Sequence, residues 1–302
     1  MKPITPIKIK KGEKASEIVS DFKKLGFGAN KIAKASMIFD DMIKDKDCKV
    51  FMGTAGALVP AGMKQIIIDM INKKWIDVLV TTGATLTHDL IEGLGHKHYQ
   101  GHHMMDDKEL HQKGLDRMYD VFMENKVYQS LEDFFEKNFD ALQKATNIKE
   151  FLEILGKLSP EGTILNTCYK NKVSLFCPAI SDSGIGLMVW NNLIKNKKTN
   201  IDVFSDLKDI IEISMTSKKS GFIYLGGGTP KNFIQQALQF SKGADYGIQI
   251  TMDRPEPGGS SGADLRESIS WGKLSEKAKF VDVICDVTIA LPLIHSYLID
   301  NN

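Results

Sequence analysis

A chain of 302 residues with 42% hydrophobic content can bury a large core, and we expect a single domain over residues 1–302. Lys and Arg total 39 against 38 Asp and Glu, a formal net charge of +1, so composition gives no support for nucleic-acid binding. No run of 18 apolar residues and no signal-peptide pattern occurs, so we expect a cytoplasmic protein without membrane contact, with an N-terminal extension at about residues 1–15.

Short apolar runs alternate with longer helical patterns along the chain. This alternation predicts an α/β fold in which a parallel sheet is covered by helices. Several runs end in glycine or hydroxyl residues, and ligands bind at such strand ends in open α/β sheets. The predicted strands are Val50–Met52, Asp77–Thr82, Val173–Cys177, Phe222–Leu225, Tyr246–Thr251 and Val281–Cys285.

Residues 106–156 carry a different pattern, with charges between apolar positions at roughly helical spacing. We interpret this region as a helical layer inserted into the α/β fold. The positions that suggest the spacing are Leu115, Met118, Val121 and Phe122.

Two segments after predicted strands are candidates for nucleotide binding. Gly226-Gly227-Gly228 precedes a helix expected over Lys231–Phe240, where main-chain amides can approach an anion, although a triple glycine is more often only a tight turn. Asp182, in Ser181-Asp182-Ser183-Gly184, could hold ribose hydroxyls or could simply cap a helix.

The densest cluster of candidate chemistry is Pro257–Lys273, a glycine and serine loop that leads to an acid, an indole and a lysine. Burial beside Trp271 would disfavour the ammonium form of Lys273 and leave an amine able to attack an imine carbon. Glu267 could bind a cationic amine. The alternatives are a solvated surface lysine and a core tryptophan.

Metal or redox sites receive weaker support. The four cysteines (Cys48, Cys168, Cys177 and Cys285) are scattered without C-x-x-C spacing, which predicts reduced structural thiols. Six of the seven histidines lie between His88 and His111, but their spacing matches no zinc motif, so we expect a polar loop and helix start and no metal.

Four segments together resemble the deoxyhypusine synthase family in their order, spacing and residue identities. The most specific piece is Glu267-x-x-Ser270-Trp271-Gly272-Lys273, followed by Cys285-Asp286-Val287-Thr288. The segments cover most of the chain: Asp77–Leu90, Val173–Trp190, Gly221–Thr251 and Gly258–Leu293.

The resemblance implies a Rossmann-like NAD-binding domain, assembled as a homotetramer with active sites at subunit interfaces. It implies that spermidine loses a hydride to NAD, that the active-site lysine displaces diaminopropane to hold an aminobutyl imine, and that an acceptor amine receives this group before the hydride returns. The conventional acceptor is a lysine of the hypusine-containing translation factor.

The resemblance also assigns residues. Lys273 becomes the imine-forming nucleophile. The substrate-binding residues become Glu267, Trp271, Asn232 and Ser260. The NAD-binding residues become Thr82, Gly83, Asp182, Gly227, Ser261, Asp286 and Val287.

Four positions depart from the family pattern. Ser260 stands for an expected aspartate, Leu187 for an acid, Asn232 for a histidine and His88 for a glutamate. The loss of two carboxylates puts the substrate in doubt, because cation sites rely on such charges. Two alternatives therefore stay open: a homospermidine synthase-like paralogue with putrescine as acceptor, and a non-catalytic NAD-binding paralogue.

Overall fold

The computed structural model of the chain describes residues 2–302. All six predicted strands are present. The strands are β1 (Cys48–Thr54), β2 (Val78–Thr81), β3 (Tyr99–Gln100), β4 (Leu115–Met118), β5 (Val121–Glu124), β6 (Ser174–Phe176), β7 (Lys219–Leu225), β8 (Ala244–Thr251) and β9 (Leu274–Ile284). The helices are α1 (Ala15–Phe22), α2 (Phe27–Lys44), α3 (Lys64–Asn72), α4 (Gly83–Gly93), α5 (Asp107–Gln112), α6 (Val127–Leu142), α7 (Ile148–Leu158), α8 (Ile164–Asn171), α9 (Gly184–Ile194), α10 (Val203–Thr216), α11 (Gly228–Gln239), α12 (Glu267–Ser270) and α13 (Val287–Asn301).

The chain divides into two compact units. Unit 1 contains residues 2–55, 75–80 and 207–302, and unit 2 contains residues 56–74 and 81–206. That the whole chain folds as one domain stays a prediction.

Unit 1 is built on strands in the order β2-β1-β7-β8-β9. The pairs β1–β7, β7–β8 and β8–β9 are parallel. Residues 222–225 of β7 are all fully buried, as expected for a central strand covered on both faces. This arrangement confirms the predicted α/β class.

Two helices of unit 1 have their N-termini at one edge of this sheet. The helix α2 packs against β1, β8 and β9, α11 packs against β1, and α13 packs against β8, α1 and α2. Two residues separate β7 from α11, and two separate β9 from α13. Because the strands are parallel, α11 and α13 both begin at the carboxyl edge of the sheet.

Unit 2 is mainly helical around a core that includes Phe135, Phe139 and Phe151. The helix α4 packs against α6, α8 and α9, and α7 packs against α6 and α8. The buried carboxylate of Asp89 on α4 accepts hydrogen bonds from the first two amides of α8, at 2.8 and 3.0 Å. A carboxylate at a helix N-terminus satisfies amides that have no partner within the helix.

The helical interpretation of Leu115, Met118, Val121 and Phe122 is wrong, because these residues form the antiparallel hairpin β4–β5. Gly114, with φ of +68°, follows the end of α5, and Met118 pairs directly with Val121. The two-residue turn therefore consists of Tyr119 and Asp120, with Tyr119 at φ of 56°. Such turns usually carry glycine or asparagine, so the sequence lacked the ordinary hairpin signal.

The cysteines agree with the prediction of structural thiols, since all four are free and Cys168 and Cys177 are buried. Burial raises the pKa of the Cys177 thiol to about 12. Within residues 2–302, no helix combines the length and the apolar character needed to cross a bilayer.

Candidate functional site

Lys273 lies immediately before β9, where main-chain hydrogen bonds fix its position. Its amide donates to the Ser268 carbonyl at 3.0 Å, and its carbonyl accepts from the Ala244 amide at 3.1 Å. The Nζ atom lies 4.9 Å from the centroid of the Trp271 ring, within range of a cation–π interaction. Trp271 is 55% exposed, so the core interpretation of this residue is wrong.

A cavity of about 260 Å³ in unit 1 brings together all the predicted substrate-side residues. It is lined by two lysines, one carboxylate, an indole and several neutral polar groups. The lining residues predicted from the sequence are Asn232, Ser260, Glu267, Trp271 and Lys273. The lining residues that were not predicted are Lys231, Gln235, Gly258, Ala263 and Ser268.

Lys231 is the first residue that sequence reasoning missed. It is 4% exposed, and its Nζ donates to the main-chain carbonyl of Ala263 at 2.7 Å. Burial lowers the pKa of Lys231 to about 8, while the charges of Asp282, Glu267 and nearby Asp264 oppose this shift. A buried amine with a lowered pKa therefore lines the same cavity as the nucleophile candidate Lys273.

Gln235 is the second residue missed. It is 3% exposed, and neither its amide nitrogen nor its amide oxygen has a hydrogen-bond partner among residues 2–302. Tyr224 lies beside it without hydrogen-bond geometry. Buried polar groups rarely stay unpaired, so the cavity presents groups that a polar ligand or water can satisfy. The i, i+4 spacing of Lys231 and Gln235 on α11 was the available sequence signal.

The triple glycine after β7 forms a tightly packed turn with two left-handed residues, a conformation that glycine adopts without strain. Gly226 and Gly228 have φ of +80° and +60°. At Gly227 an added Cβ would lie 2.5 Å from the Cα of Ser261. The Gly228 amide donates to the Ser261 hydroxyl at 2.7 Å. The structure therefore brings together the predicted residues Gly227 and Ser261, at the N-terminus of α11.

Asp286 and Val287 open α13 at the carboxyl edge of the same sheet. The Oδ1 atom of Asp286 accepts from the Thr288 amide at 2.7 Å and from its hydroxyl at 2.6 Å. Asp286 is exposed and Val287 is half-buried. The position suits a ligand contact, and the carboxylate also caps the helix.

The three cofactor candidates of unit 2 lie close to one another. Thr82 caps α4 by accepting from the Thr85 amide at 3.3 Å, and an added Cβ at Gly83 would lie 2.5 Å from the Ser183 side chain. Ser183, beside Asp182, caps α9 by accepting from the Gly186 amide at 3.1 Å. The helix-cap alternative for Asp182 is therefore wrong, and its carboxylate is exposed.

The positions that depart from the family pattern fall in different places. Ser260 and Asn232 line the lysine cavity, where both supply neutral polar groups. Leu187 lies on α9 in unit 2, beside an apolar groove that Trp190 also lines.

The histidines of unit 2 form closed pairs. His88 Nδ1 lies 3.0 Å from His98 Nε2, and His98 Nδ1 lies 2.9 Å from a carboxylate oxygen of Glu92. Lys64 pairs with the same carboxylate at 2.9 Å. Burial, helped by the charge of His98, lowers the pKa of His88 to about 4. In the part of the chain that the structure describes, no group of three or more His, Cys, Asp or Glu could hold a metal.

Comparison with known proteins supplies the remaining finding. A family model described as deoxyhypusine synthase matches residues 17–298. A protein of Methanosarcina acetivorans named "Probable deoxyhypusine synthase 1" is 41% identical over 301 residues, which covers 97% of this chain and 93% of that one. Its namesake from Archaeoglobus fulgidus is 39% identical over 298 residues, which covers 98% of both chains.

Solved structures agree on the fold. A crystal structure from Entamoeba histolytica, provisionally assigned as a deoxyhypusine synthase, has a TM-score of 0.64 at 18% identity and covers 97% of this chain and 96% of that chain. A Methanococcus maripaludis structure described as a LOR/SDH protein has a TM-score of 0.56 at 14% identity, covering 98% of this chain and 73% of that one.

Proposed function

Because this chain belongs to the deoxyhypusine synthase family, whose members are transferases, we propose that it moves the aminobutyl group of spermidine to an amine acceptor through Lys273. The observation that carries the proposal is a single cavity that combines Lys273, the indole of Trp271 and the carboxylate of Glu267. A lysine, an aromatic wall and an acid are the groups needed to hold a cationic amine and capture its oxidised carbon.

A carbon beside the secondary nitrogen of spermidine loses a hydride, and the nitrogen becomes an iminium. The Lys273 amine adds to this carbon and passes a proton to the nitrogen of the departing diaminopropane, whose bond to the carbon then breaks. An aminobutyl imine remains on Lys273. The acceptor amine displaces Lys273 in the same way, and return of the hydride gives a stable secondary amine.

NAD is the cofactor that we infer, since it accepts the hydride and later returns it. The glycine turn supports this inference, because Gly227 leaves no room for a side chain and the N-terminus of α11 favours a phosphate. Asp286 in unit 1 and Asp182 in unit 2 each carry an exposed carboxylate, a group that binds ribose hydroxyls in dinucleotide-binding folds. Ser261 would contact the turn, and Thr82, Gly83 and Val287 lie at helix starts of the kind that bind such ligands.

Glu267 is the only carboxylate among the described residues that line the cavity. It can hold one ammonium group of the polyamine, while Asn232, Ser260 and Trp271 contact the rest of the molecule through neutral groups. We infer that the acceptor is the lysine of the hypusine-containing translation factor, because both relatives reported above carry the name "Probable deoxyhypusine synthase 1".

A homotetramer is also part of the proposal. On α9, the side chains of Leu187, Trp190 and Ile194 are exposed, and a face of this kind is usually covered in an assembly. Light scattering of the purified protein tests this point, and a monomer at micromolar concentration would contradict it.

The central test is covalent trapping. The purified protein is incubated with NAD and spermidine, reduced with borohydride and digested for mass spectrometry. We expect one aminobutyl group on Lys273. The Lys273→Ala variant should show no adduct and lose at least roughly 1,000-fold in transfer rate, because it lacks the nucleophile.

Lys277→Ala, which removes an exposed lysine from β9, is the matched control and should behave like the original protein. Transfer by Lys273→Ala would contradict the mechanism, and the absence of any adduct in the original protein would contradict the function. Parallel reactions with the translation factor and with putrescine identify the acceptor. Homospermidine formed without the factor would overturn the acceptor that we infer.

A further inference from the structure

The proposed reaction cannot begin on a fully protonated amine. The nitrogen lone pair must help expel the hydride from the adjacent carbon, and in an ammonium group that pair is bound to a proton. Aliphatic amines hold their protons up to about pH 10, so a site that works near neutral pH needs a group that removes one.

Three titratable side chains line the cavity within the described residues: Lys231, Glu267 and Lys273. Lys273 is the nucleophile, and Glu267 is exposed and offsets the charge of the substrate. Asn232, beside Lys231 on α11, cannot accept a proton from an amine. Of these three side chains, only Lys231 is buried, and the proposed reaction gives it no other role.

We propose that Lys231 is the proton acceptor for the substrate amine. In its uncharged form it takes a proton from the secondary ammonium of spermidine before the hydride leaves. When diaminopropane later departs, Lys231 returns that proton to the departing nitrogen, so the residue ends the half-reaction as it began. This inference rests on the proposed function and adds a residue to it.

The geometry around Lys231 favours this role. Its Nζ is 2.7 Å from the Ala263 carbonyl, a contact that uses one N–H and leaves the rest of the group for the cavity. No ion pair of the described residues includes Lys231, so no paired carboxylate keeps Lys231 in its protonated form. Gln235, one turn later on α11, offers unpaired amide groups that can position the amine between them.

The electrostatic surroundings agree. Burial is the main reason that the pKa of Lys231 falls to about 8, and Lys273 lowers it slightly further. Asp282 on β9, Glu267 on α12 and Asp264 before it act in the opposite direction. At pH 7 roughly a tenth of such an amine is uncharged, and a base with a pKa near the working pH is the most effective kind.

The test compares Lys231→Met and Lys231→Arg with the original protein between pH 6 and 10. The rate of reduced nicotinamide formation from spermidine is measured, with the Lys273 adduct as a second readout. In the original protein we expect the rate to rise with pH and to level off above about 8. In both variants we expect roughly a 100-fold loss at pH 7 that shrinks as the pH approaches 10, where the substrate loses its own proton.

Arginine keeps the positive charge and most of the size but cannot act as a base, so it separates proton transfer from packing. Lys277→Met is the surface control. Thermal unfolding identifies a variant that fails to fold, in which case the arginine variant decides. A levelling near pH 8 that persists in the variants, or a loss of the same size at every pH, overturns the proposal. If the original protein forms no adduct, the proposed function fails instead.

Discussion

Two clusters of titratable side chains differ in what surrounds them. The lysine cavity of unit 1 is lined by Lys231, Lys273 and Gln235. The side-chain amide of Gln235 has no hydrogen-bond partner among residues 2–302. The histidine network of unit 2 is richer in residues that bind metals, yet His88, His98 and Glu92 satisfy one another. Unmet hydrogen bonds around a cavity indicate a ligand site better than the density of reactive residues does.

The largest expected effect concerns the histidine network. If that network is structural, it should appear in the pH dependence of stability. Burial lowers the pKa of His88 from 6.5 to about 4. In the unfolded chain His88 is therefore protonated as the pH falls through about 6.5, whereas in the folded chain it is protonated only near pH 4. Stability from His88 is present above pH 6.5 and is lost as the pH falls, by about 3 kcal/mol in total.

Replacement of His88 by Gln should remove that loss. Denaturant unfolding between pH 7 and 4 measures it, with His111→Gln as a control for an exposed histidine of the same unit. Asp89 acts in the opposite sense, because burial raises its pKa to about 6 and its contribution is lost as pH rises. Only the difference between the variant and the original protein isolates His88, and identical pH curves would contradict the prediction.

The second effect tests the glycine turn that adjoins the lysine cavity. In Gly227→Ala, the new Cβ would lie 2.5 Å from the Cα of Ser261, so the loop must move away from the turn. Overpacking of this kind costs about 1–3 kcal/mol, and we expect the dissociation constant for NAD to rise roughly 10- to 100-fold.

Calorimetric titration with NAD measures this change. Gly259→Ala, in the loop that contains Ser261, is the matched control, since its Cβ would meet nothing within 4 Å and its φ is not left-handed. Equal affinities for the two variants would remove the glycine turn from the cofactor site.

The smallest effect concerns the carboxylate of the cavity. Glu267→Gln keeps the size of the side chain and removes its charge, so the ammonium group of the substrate loses one partner. Since Glu267 is exposed, we expect only about a fivefold rise in KM for spermidine with kcat nearly unchanged. Steady-state kinetics beside Glu276→Gln, an exposed glutamate of β9, checks it. A change confined to kcat would assign Glu267 a different role.

The sequence predicted the strands because their signal is local. Runs such as Phe222–Leu225 are continuously apolar, which is typical of a parallel strand buried on both faces. The hairpin at Tyr119 was missed because its turn contains neither glycine nor asparagine.

The candidate site was predicted only in part. Lys273 and Glu267 belong to one short motif, whereas the importance of Lys231 depends on its burial and on the Ala263 carbonyl more than 30 positions away. Neither property can be read from neighbouring residues. Asp182 and Ser183 show the same limit, because both can cap a helix and only the backbone geometry distinguishes them.

The carbonyl of Ala263 has a practical consequence for mutagenesis. It accepts from Lys231 Nζ at 2.7 Å and from the side-chain amide of Gln249 at 3.1 Å. One main-chain oxygen of the loop between β8 and α12 therefore connects α11 with β8. An alanine scan would pass over this position entirely, because the residue is already alanine and its side chain takes no part. Only a change of loop length, or an ester in place of the peptide bond, would reveal what that oxygen contributes.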